Sequence, residues 1–271
     1  MIHSIYKKLS NLFYGTGISK VPLIRKTHLK VTELTKPDTI DVFGFKMHLD
    51  EKDDACHSIT TDKETNELKF LKKIIKKGDY VVDIGANIGY YTLFFASLVG
   101  PTGKVFAFEP EPKNFSILKK NVENNLLDNV IIYQKAVGSK NKNIKMKLSD
   151  SIGFHHISDH GDLDLDCIRL DDHIQNVNFI KMDAEGYEVE ILKGMPNLLQ
   201  RNVTIMSEFH YKLLQKYNSP SEFFKILGDA GFKFLDMRKR FSHTNLDITL
   251  KNYNESSGAT DILCTKNDFP K

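Results

Sequence analysis

The chain has 271 residues, of which 41% are hydrophobic and 27% are charged, and this balance is that of a globular protein able to bury a full core. The net charge of +3 is too small to indicate nucleic-acid binding by itself, so we expect no nucleic-acid partner. The longest apolar run, Tyr90–Gly100, is too short to span a bilayer. Three cysteines without a Cys-x-x-Cys pair fit reduced thiols and predict a cytoplasmic protein.

The first sixty residues are expected to form a cap and hairpin extension, 1–60, ahead of one domain over residues 61–271. Apolar residues between positions 2 and 13 recur at roughly helical spacing, with lysines and arginines downstream. We interpret residues 1–30 as a helix that covers the core, and weak peripheral contact with a membrane surface is the alternative. Loose alternation around Gly44 predicts a small hairpin over Thr39–Leu49.

The segment Tyr80–Thr92 contains a short apolar run ending in an acid, then a turn with two glycines, then an apolar, aromatic-rich stretch. This order predicts strand, tight loop and helix, the first half of a βαβ nucleotide-binding unit. Because glycine has no Cβ, Gly85 and Gly89 permit a sharp turn and the close approach of a ligand. An amphipathic helix is predicted just before it, over Asp62–Lys77, with Asp62 as its cap.

The ligand class follows from the turn, which lacks the Gly-x-Gly-x-x-Gly spacing of dinucleotide sites. Asp83 would repel a phosphate, but it suits an ammonium group such as the methionine end of S-adenosylmethionine. A second strand ends in Glu109 and Pro110, where an acid can accept hydrogen bonds from ribose hydroxyls. Taken alone, Asp83 could instead be a helix N-cap; together with the glycine loop and Glu109 it favours a ligand site.

The rest of the chain alternates between predicted strands and helices, which indicates an α/β fold in a three-layer α/β/α sandwich. The predicted strands are Lys104–Phe108, Val130–Gln134, Phe179–Met182, Val203–Ser207, Lys233–Met237 and Ile262–Thr265. The predicted helices are Tyr90–Val99, Pro112–Asn124, Val189–Leu198 and Ser219–Ala230, the last capped by Ser219. Ala136, after the third strand, is expected either to line the adenine or to belong to a turn.

An interruption separates the third and fourth strands. Ile144–Leu148 and Cys167–Leu170 have strand character, and the polar segment Ser149–Asp166 between them is rich in histidine and aspartate. A metal site is one interpretation of that segment. We favour a solvated loop that covers the acceptor, and we predict no metal.

Three segments carry a family resemblance: Asp83–Thr92, Phe108–Pro112 and Lys181–Glu188. Over residues 60 to 212 the chain resembles the FkbM family of S-adenosylmethionine-dependent methyltransferases. The resemblance implies a Rossmann-like class I methyltransferase fold with a mostly parallel seven-stranded sheet, and S-adenosyl-L-methionine as cofactor with S-adenosyl-L-homocysteine as product. Family members commonly carry a glutamate at the position of Glu64, which we interpret either as a lid contact over the cofactor or as a surface glutamate near a helix start. The predicted cofactor-binding residues are Glu64, Asp83, Gly85, Ala86, Asn87, Gly89, Tyr90, Glu109, Pro110, Ala136 and Asp183.

Candidate catalytic residues follow the fourth and fifth strands. Methyl transfer from a sulfonium mainly requires alignment of the acceptor, and a hydroxyl acceptor gains from a general base. His210 is the first choice for that base because its ordinary pKa lies nearest neutrality. Asp183 is predicted to orient acceptor or cofactor, and Glu208 is a further catalytic candidate. Glu185 stands beside them but could cap the next helix, and His210 could be a hydrogen-bonded histidine at a strand end.

The segment after the fourth strand bears on which kind of atom accepts the methyl group. It reads Asp183-Ala184-Glu185-Gly186, where adenine and glutamine amino methyltransferases carry Asn/Asp-Pro-Pro-Tyr. This difference speaks against amine chemistry of that kind, and the FkbM resemblance implies O-methylation of a sugar, glycan or secondary metabolite. The alternatives are N-methylation of another small molecule, a non-catalytic module that keeps the cofactor fold, and an NAD-dependent oxidoreductase.

Overall fold

The computed structural model describes residues 37–50, 65–148, 155–217, 219–237, 243–244, 253 and 258–269. The predicted helix within residues 1–30, the cap Asp62 and the cofactor contact Glu64 lie outside these residues. Within them, every helix is too short or too polar to cross a bilayer.

A hairpin opens the described chain, with strands β1 (Thr39–Val42) and β2 (Phe45–His48) paired antiparallel. It confirms the hairpin predicted around Gly44. The side-chain oxygen of Asn121 accepts from the backbone N–H of His48 (2.6 Å), which ties β2 to the body of the protein. The boundary between an extension and a domain near residue 60 stays a prediction.

The remaining elements alternate along the chain. The helices are α1 (Asn66–Ile74), α2 (Tyr90–Val99), α3 (Pro112–Asn124), α4 (Glu188–Lys193), α5 (Pro196–Gln200), α6 (Tyr211–Tyr217) and α7 (Pro220–Asp229). The strands are β3 (Tyr80–Ile84), β4 (Lys104–Phe108), β5 (Val130–Tyr133), β6 (Ala136–Val137), β7 (Lys142–Lys147), β8 (His156–Ile157), β9 (Leu163–Ile168), β10 (Phe179–Met182), β11 (Thr204–Phe209), β12 (Lys233–Asp236), β13 (His243–Thr244) and β14 (Thr260–Thr265).

The main sheet has the strand order β13-β12-β14-β11-β10-β3-β4-β5. The strands from β11 to β5 are parallel, and β14 is antiparallel to both β11 and β12. This is the mostly parallel seven-stranded sheet that the sequence predicts, extended at one edge by the two-residue β13. The chain leaves β3 for β4 on one side and returns to β10 on the other, which places a ligand crevice at the carboxyl ends of these strands.

Successive side chains along each strand point to opposite faces of the sheet, and a layer of helices packs on each face. Val81 packs with α1 and α2, whereas its neighbour Val82 packs with α4, α5 and α7. Both valines are fully buried. The predicted three-layer α/β/α sandwich is therefore confirmed.

A second sheet, with the order β6-β9-β7-β8, is formed by the part of the chain between β5 and β10 of the main sheet. Strand β8 and the first part of β9 lie within the segment Ser149–Asp166, which was predicted to be a loop. Strand β9 begins at Leu163, where the prediction began a strand at Cys167, and its buried Leu165 and Cys167 alternate with exposed aspartates. It pairs antiparallel with β7 and parallel with β6, so Ala136 lies in a strand and not in a turn.

The helical predictions need three further corrections. The single helix Val189–Leu198 is divided into α4 and α5, because Pro196 lacks the N–H that a continuous helix needs and instead begins α5. Helix α1 is capped by the side chain of Thr65, which accepts from Leu68 N (3.2 Å). Helix α6 was not predicted. The predicted cap Ser219 at α7 is confirmed.

Candidate active site

The loop after β3 is held between the ends of β4 and β10. The backbone N–H groups of Gly85 and Ala86 both donate to the carbonyl of Phe108, each over 3.0 Å. Gly85 has φ +76, and a Cβ built on it would lie 1.8 Å from the carbonyl oxygen of Asp183. The close approach of these two loops therefore requires glycine at this position.

A test of that contact is the substitution Gly85→Ala. We expect a marked loss of stability and of S-adenosylhomocysteine affinity, because the added methyl group would overlap the carbonyl oxygen of Asp183. A backbone oxygen cannot move away as the end of a flexible side chain can. Gly231 has nearly the same φ (+87), but a Cβ there would meet open space. Gly231→Ala therefore carries only the conformational cost, about 1–2 kcal/mol. Equal losses in the two variants, measured by thermal unfolding and calorimetry, would contradict the role of the contact.

Asp83 is fully buried at the end of β3. Its Oδ2 accepts from the hydroxyl of Thr92 (2.7 Å), and its Oδ1 has no hydrogen-bond partner among the described residues. Burial raises the pKa of Asp83, while the charge of Lys181 acts in the opposite direction. The N-cap of α2 is Gly89, so the N-cap interpretation of Asp83 is wrong. A buried carboxylate oxygen without a partner fits a cationic group of a ligand.

Glu109 follows β4 and is 5% exposed. Its two carboxylate oxygens accept from the backbone N–H groups of Asn87 (2.8 Å) and Glu111 (2.9 Å). Burial raises the pKa of Glu109 to about 7, although these two N–H groups favour the charged form. Each oxygen retains a lone pair, which leaves Glu109 able to accept hydrogen bonds from a ribose.

A cavity opens at the carboxyl ends of β3, β4, β5 and β10. Six of the predicted cofactor-binding residues line it: Gly85, Asn87, Glu109, Pro110, Ala136 and Asp183. Ala86 and Gly89 belong to the same loop behind its wall, and Tyr90 begins α2 with its ring 5.1 Å from that of Phe43. Asp83 does not line the cavity either, and the ligand contacts of Asp83, Ala86, Gly89 and Tyr90 stay predictions.

The second sheet supplies another wall of the cavity, through Met146, His155, His156 and Ile157. Strand β8 is fixed there by the hydroxyl of Tyr217, which donates to the carbonyl of Ile157. Three aspartates of this segment face lysines: Asp162 lies 3.0 Å from Lys147, Asp164 4.0 Å from Lys145 and Asp166 3.9 Å from Lys135. Within the described part of the chain, these histidines and aspartates do not form a group of three donors that could hold a metal ion.

Lys181 was not among the predicted site residues. It lies in the central strand β10, is 4% exposed, and is adjacent in the sheet to Asp83. Its Nζ is 3.1 Å from Oδ2 of Asp183 and 4.7 Å from the ring centroid of Tyr91. Burial disfavours the charge of Lys181, but Asp183, Asp83 and Asp261 outweigh burial and raise its pKa. A lysine within the apolar run Phe179–Met182 is the sequence signal that could have identified it.

Three carboxylates gather beside this lysine. Oxygen atoms of Asp183, Glu185 and Glu208 lie within 4.8 Å of one another. Burial, followed by the neighbouring carboxylates, raises the pKa values of Glu185, to about 8, and of Glu208. Asp261, opposite Glu208 on β14, has its pKa raised to about 7, mainly by burial. Oxygens this close could chelate a divalent cation, but the ammonium of Lys181 already supplies positive charge here.

His210 lies between β11 and α6, and Glu188 begins α4, both next to this cluster. Nδ1 of His210 faces the N–H of Leu213 (3.4 Å) at the start of α6, and the residue does not line the cavity. Its role as a base stays a prediction. Oε1 of Glu188 accepts from the N–H groups of Ala184 (2.9 Å) and Gly186 (3.3 Å). Helix α4 follows the N-cap Tyr187 and has no side-chain capping bond, so the capping interpretation of Glu185 is wrong.

Comparison with known proteins adds independent information. The profile of the Methyltransferase FkbM domain matches residues 83–234, more than half of the chain. The chain is 29% identical over 174 residues to the hexuronic acid methyltransferase AglP of Haloferax volcanii, covering 62% of this chain and 69% of that protein. It is 26% identical over 145 residues to Methyltransferase 1 of Beauveria bassiana, covering 43% of this chain and 58% of that protein.

Solved structures include a similar protein, a SAM-dependent methyltransferase from Aquifex aeolicus. The TM-score is 0.44 and the identity 17%, over 79% of this chain and 94% of that chain. The family match begins at Asp83 and contains the loop, the cavity and the acidic cluster described above. The chain belongs to the FkbM methyltransferase family and is an S-adenosylmethionine-dependent methyltransferase.

Proposed function

We propose that this enzyme methylates a hydroxyl oxygen on a sugar, a glycan or a secondary metabolite. The observation that carries the proposal is the acidic cluster beside the cavity, because carboxylates accept hydrogen bonds from hydroxyls and can take up their protons. The relative from Haloferax volcanii is named for hexuronic acid, which supports a carbohydrate acceptor.

The chain's own residues would bind, orient and deprotonate. The cofactor, when bound, supplies an electrophilic methyl group on a sulfonium. Asp83 would hold its ammonium group and Glu109 its ribose hydroxyls, with Pro110 and Ala136 beside the adenine. Binding and alignment of the acceptor then account for much of the rate.

The acceptor hydroxyl would be deprotonated on the opposite side of the crevice, at the carboxyl ends of β10 and β11. Asp183 would orient the acceptor, and His210 and Glu208 remain candidates for the base. Asp183 reaches Lys181 through one oxygen only, which leaves the other for a hydroxyl.

The cellular setting is part of the proposal. Cys167 and Cys264 are buried free thiols, which supports a cytoplasmic enzyme acting on a small-molecule or glycan substrate. Peripheral membrane contact through residues 1–30 is kept as a secondary proposal.

The first experiment is calorimetric titration with S-adenosylhomocysteine and, in parallel, with NAD. We expect micromolar binding of the first and none of the second. Release of S-adenosylhomocysteine is then measured with a panel of p-nitrophenyl glycosides and with the corresponding amino sugars. Turnover of the amino sugars alone, with the methyl group located on nitrogen by NMR of the product, would contradict O-methylation and favour the N-methyltransferase alternative.

A further inference from the structure

The backbone at Glu185 is unusual for a residue that carries a side chain. Glu185 has φ +51, and the next residue, Gly186, has φ +99. A Cβ on Gly186 would lie 2.5 Å from the carbonyl oxygen of Leu213, so the turn is packed against α6. The hydrogen bonds from Ala184 and Gly186 to Glu188 hold the turn from the other side. Such strain persists only where the surroundings enforce it, and it concentrates at functional sites.

The turn places Glu185 in the wall of the cavity. The other candidates are placed differently: Asp183 is engaged by Lys181, while Glu208 and His210 do not line the cavity. No hydrogen bond to another described residue engages the carboxylate of Glu185. It is therefore the candidate that combines access to the cavity with a carboxylate free at both oxygens.

The charges that face Glu185 come from every element around it. Three are carboxylates, Asp183 in its own loop, Glu188 on α4 and Glu208 on β11. Two are lysines, Lys216 on α6 and Lys181 on β10. Burial and the carboxylates outweigh the lysines and raise the pKa of Glu185 to about 8. A base is most effective when its pKa lies near the working pH.

We propose that Glu185 is the catalytic base of the methyl transfer; this inference rests on the proposed O-methylation. The acceptor oxygen forms a bond to the methyl carbon while the carbon–sulfur bond breaks and its electron pair goes to sulfur. The hydroxyl proton passes to the Glu185 carboxylate and is later released to solvent. Glu208 contributes to the negative charge around Glu185. Glu188 and Gly186 hold the backbone turn that places Glu185 in the cavity wall.

The test compares wild type with Glu185→Gln, which keeps the shape and removes the base. Exposed Glu123 on α3 provides the control Glu123→Gln. We expect Glu185→Gln to bind S-adenosylhomocysteine within threefold of wild type. Turnover of the p-nitrophenyl glycoside that wild type methylates best should fall roughly 10²–10⁴-fold. The rise of the wild-type rate with pH near 8 should disappear as well.

Three results would overturn the inference. One is turnover of Glu185→Gln within threefold of wild type. Another is wild-type activity that is abolished by EDTA and restored by Mg²⁺, because a metal would then activate the hydroxyl. The third would come from carbon NMR of protein with ¹³C-labelled glutamate carboxyls. In wild type we expect one signal that titrates near pH 8, and this signal should be absent from Glu185→Gln. A Glu185 signal titrating near its ordinary pKa of about 4.3 would contradict a base whose pKa is matched to the working pH. If wild type methylates no glycoside, O-methylation of sugars fails, while the NMR result still decides whether the pKa of Glu185 is raised.

Discussion

Asp83→Asn is expected to weaken S-adenosylhomocysteine binding at least about 30-fold while leaving the fold intact. Asparagine keeps the shape of the side chain and can still accept from Thr92, but it removes the charge that would face the ammonium group. Truncating one partner of a buried, hydrogen-bonded charge pair costs about 2–5 kcal/mol. Each factor of ten in affinity corresponds to about 1.4 kcal/mol. Asp83→Ala should show at least the same loss.

The pH dependence of binding provides a second readout for Asp83. Burial raises its pKa, so the carboxylate takes up a proton at a higher pH than an exposed aspartate would. Wild-type affinity should therefore fall as the pH is lowered through that raised pKa, whereas the affinity of Asp83→Asn should not follow this titration. Exposed Asp128 offers the control Asp128→Asn, which should bind like wild type. Unchanged affinity in Asp83→Asn would assign the aspartate to its bond with Thr92 alone.

Sequence reasoning reached the sheet because its strands are short apolar runs separated by polar or glycine-containing turns. It also placed the cofactor loop, where Gly85 and Asp83 carry a signal in adjacent positions. It began β9 at Cys167 instead of Leu163, although Leu163–Ile168 alternates in the way a strand does, because the aspartates suggested a loop. Helix α6 was missed because it is one short helix whose inward face is formed mainly by Leu214.

The acidic cluster could be predicted only in part, for a different physical reason. The residues that follow β10 and β11 were expected at one edge of the sheet because parallel strands end together. Which of these side chains faces the cavity depends on the backbone conformation of Glu185 and Gly186. That conformation depends in turn on the close packing of Gly186 against the carbonyl oxygen of Leu213 in α6. Asp261 joins the cluster from β14, which is antiparallel, so its strand start and not its strand end lies at this edge. Contacts between such distant parts of the chain leave no local pattern.

Lys181→Met is expected to be the most destabilising of the substitutions outside the glycines. Lys181 is buried 3.1 Å from Asp183, whose side chain is 39% exposed, and its charge also acts on fully buried Asp83. Because solvent screens Asp183, we expect a cost of about 3 kcal/mol, the lower end of the range for breaking a buried ion pair. For a chain of this size that corresponds to a fall in Tm of roughly 10 °C. Lys225, an exposed lysine paired with Asp229 at 2.8 Å, provides the control Lys225→Met, which should leave Tm unchanged.

The sign of the pH dependence separates this role from simple packing. Because the pKa of Lys181 is raised in the folded state, its stabilising contribution is present below its unfolded pKa and is lost only at strongly alkaline pH. In Lys181→Met the pKa of Asp83 should rise further, since burial then acts without the opposing lysine. The stability deficit relative to wild type should therefore be largest where Asp83 is charged, and it should shrink as the pH falls through the raised pKa of Asp83 and the carboxylate takes up a proton. Urea unfolding over a series of pH values measures this difference. A deficit that does not change with pH would mean that Lys181 acts through its packing on Tyr91 and not through its charge.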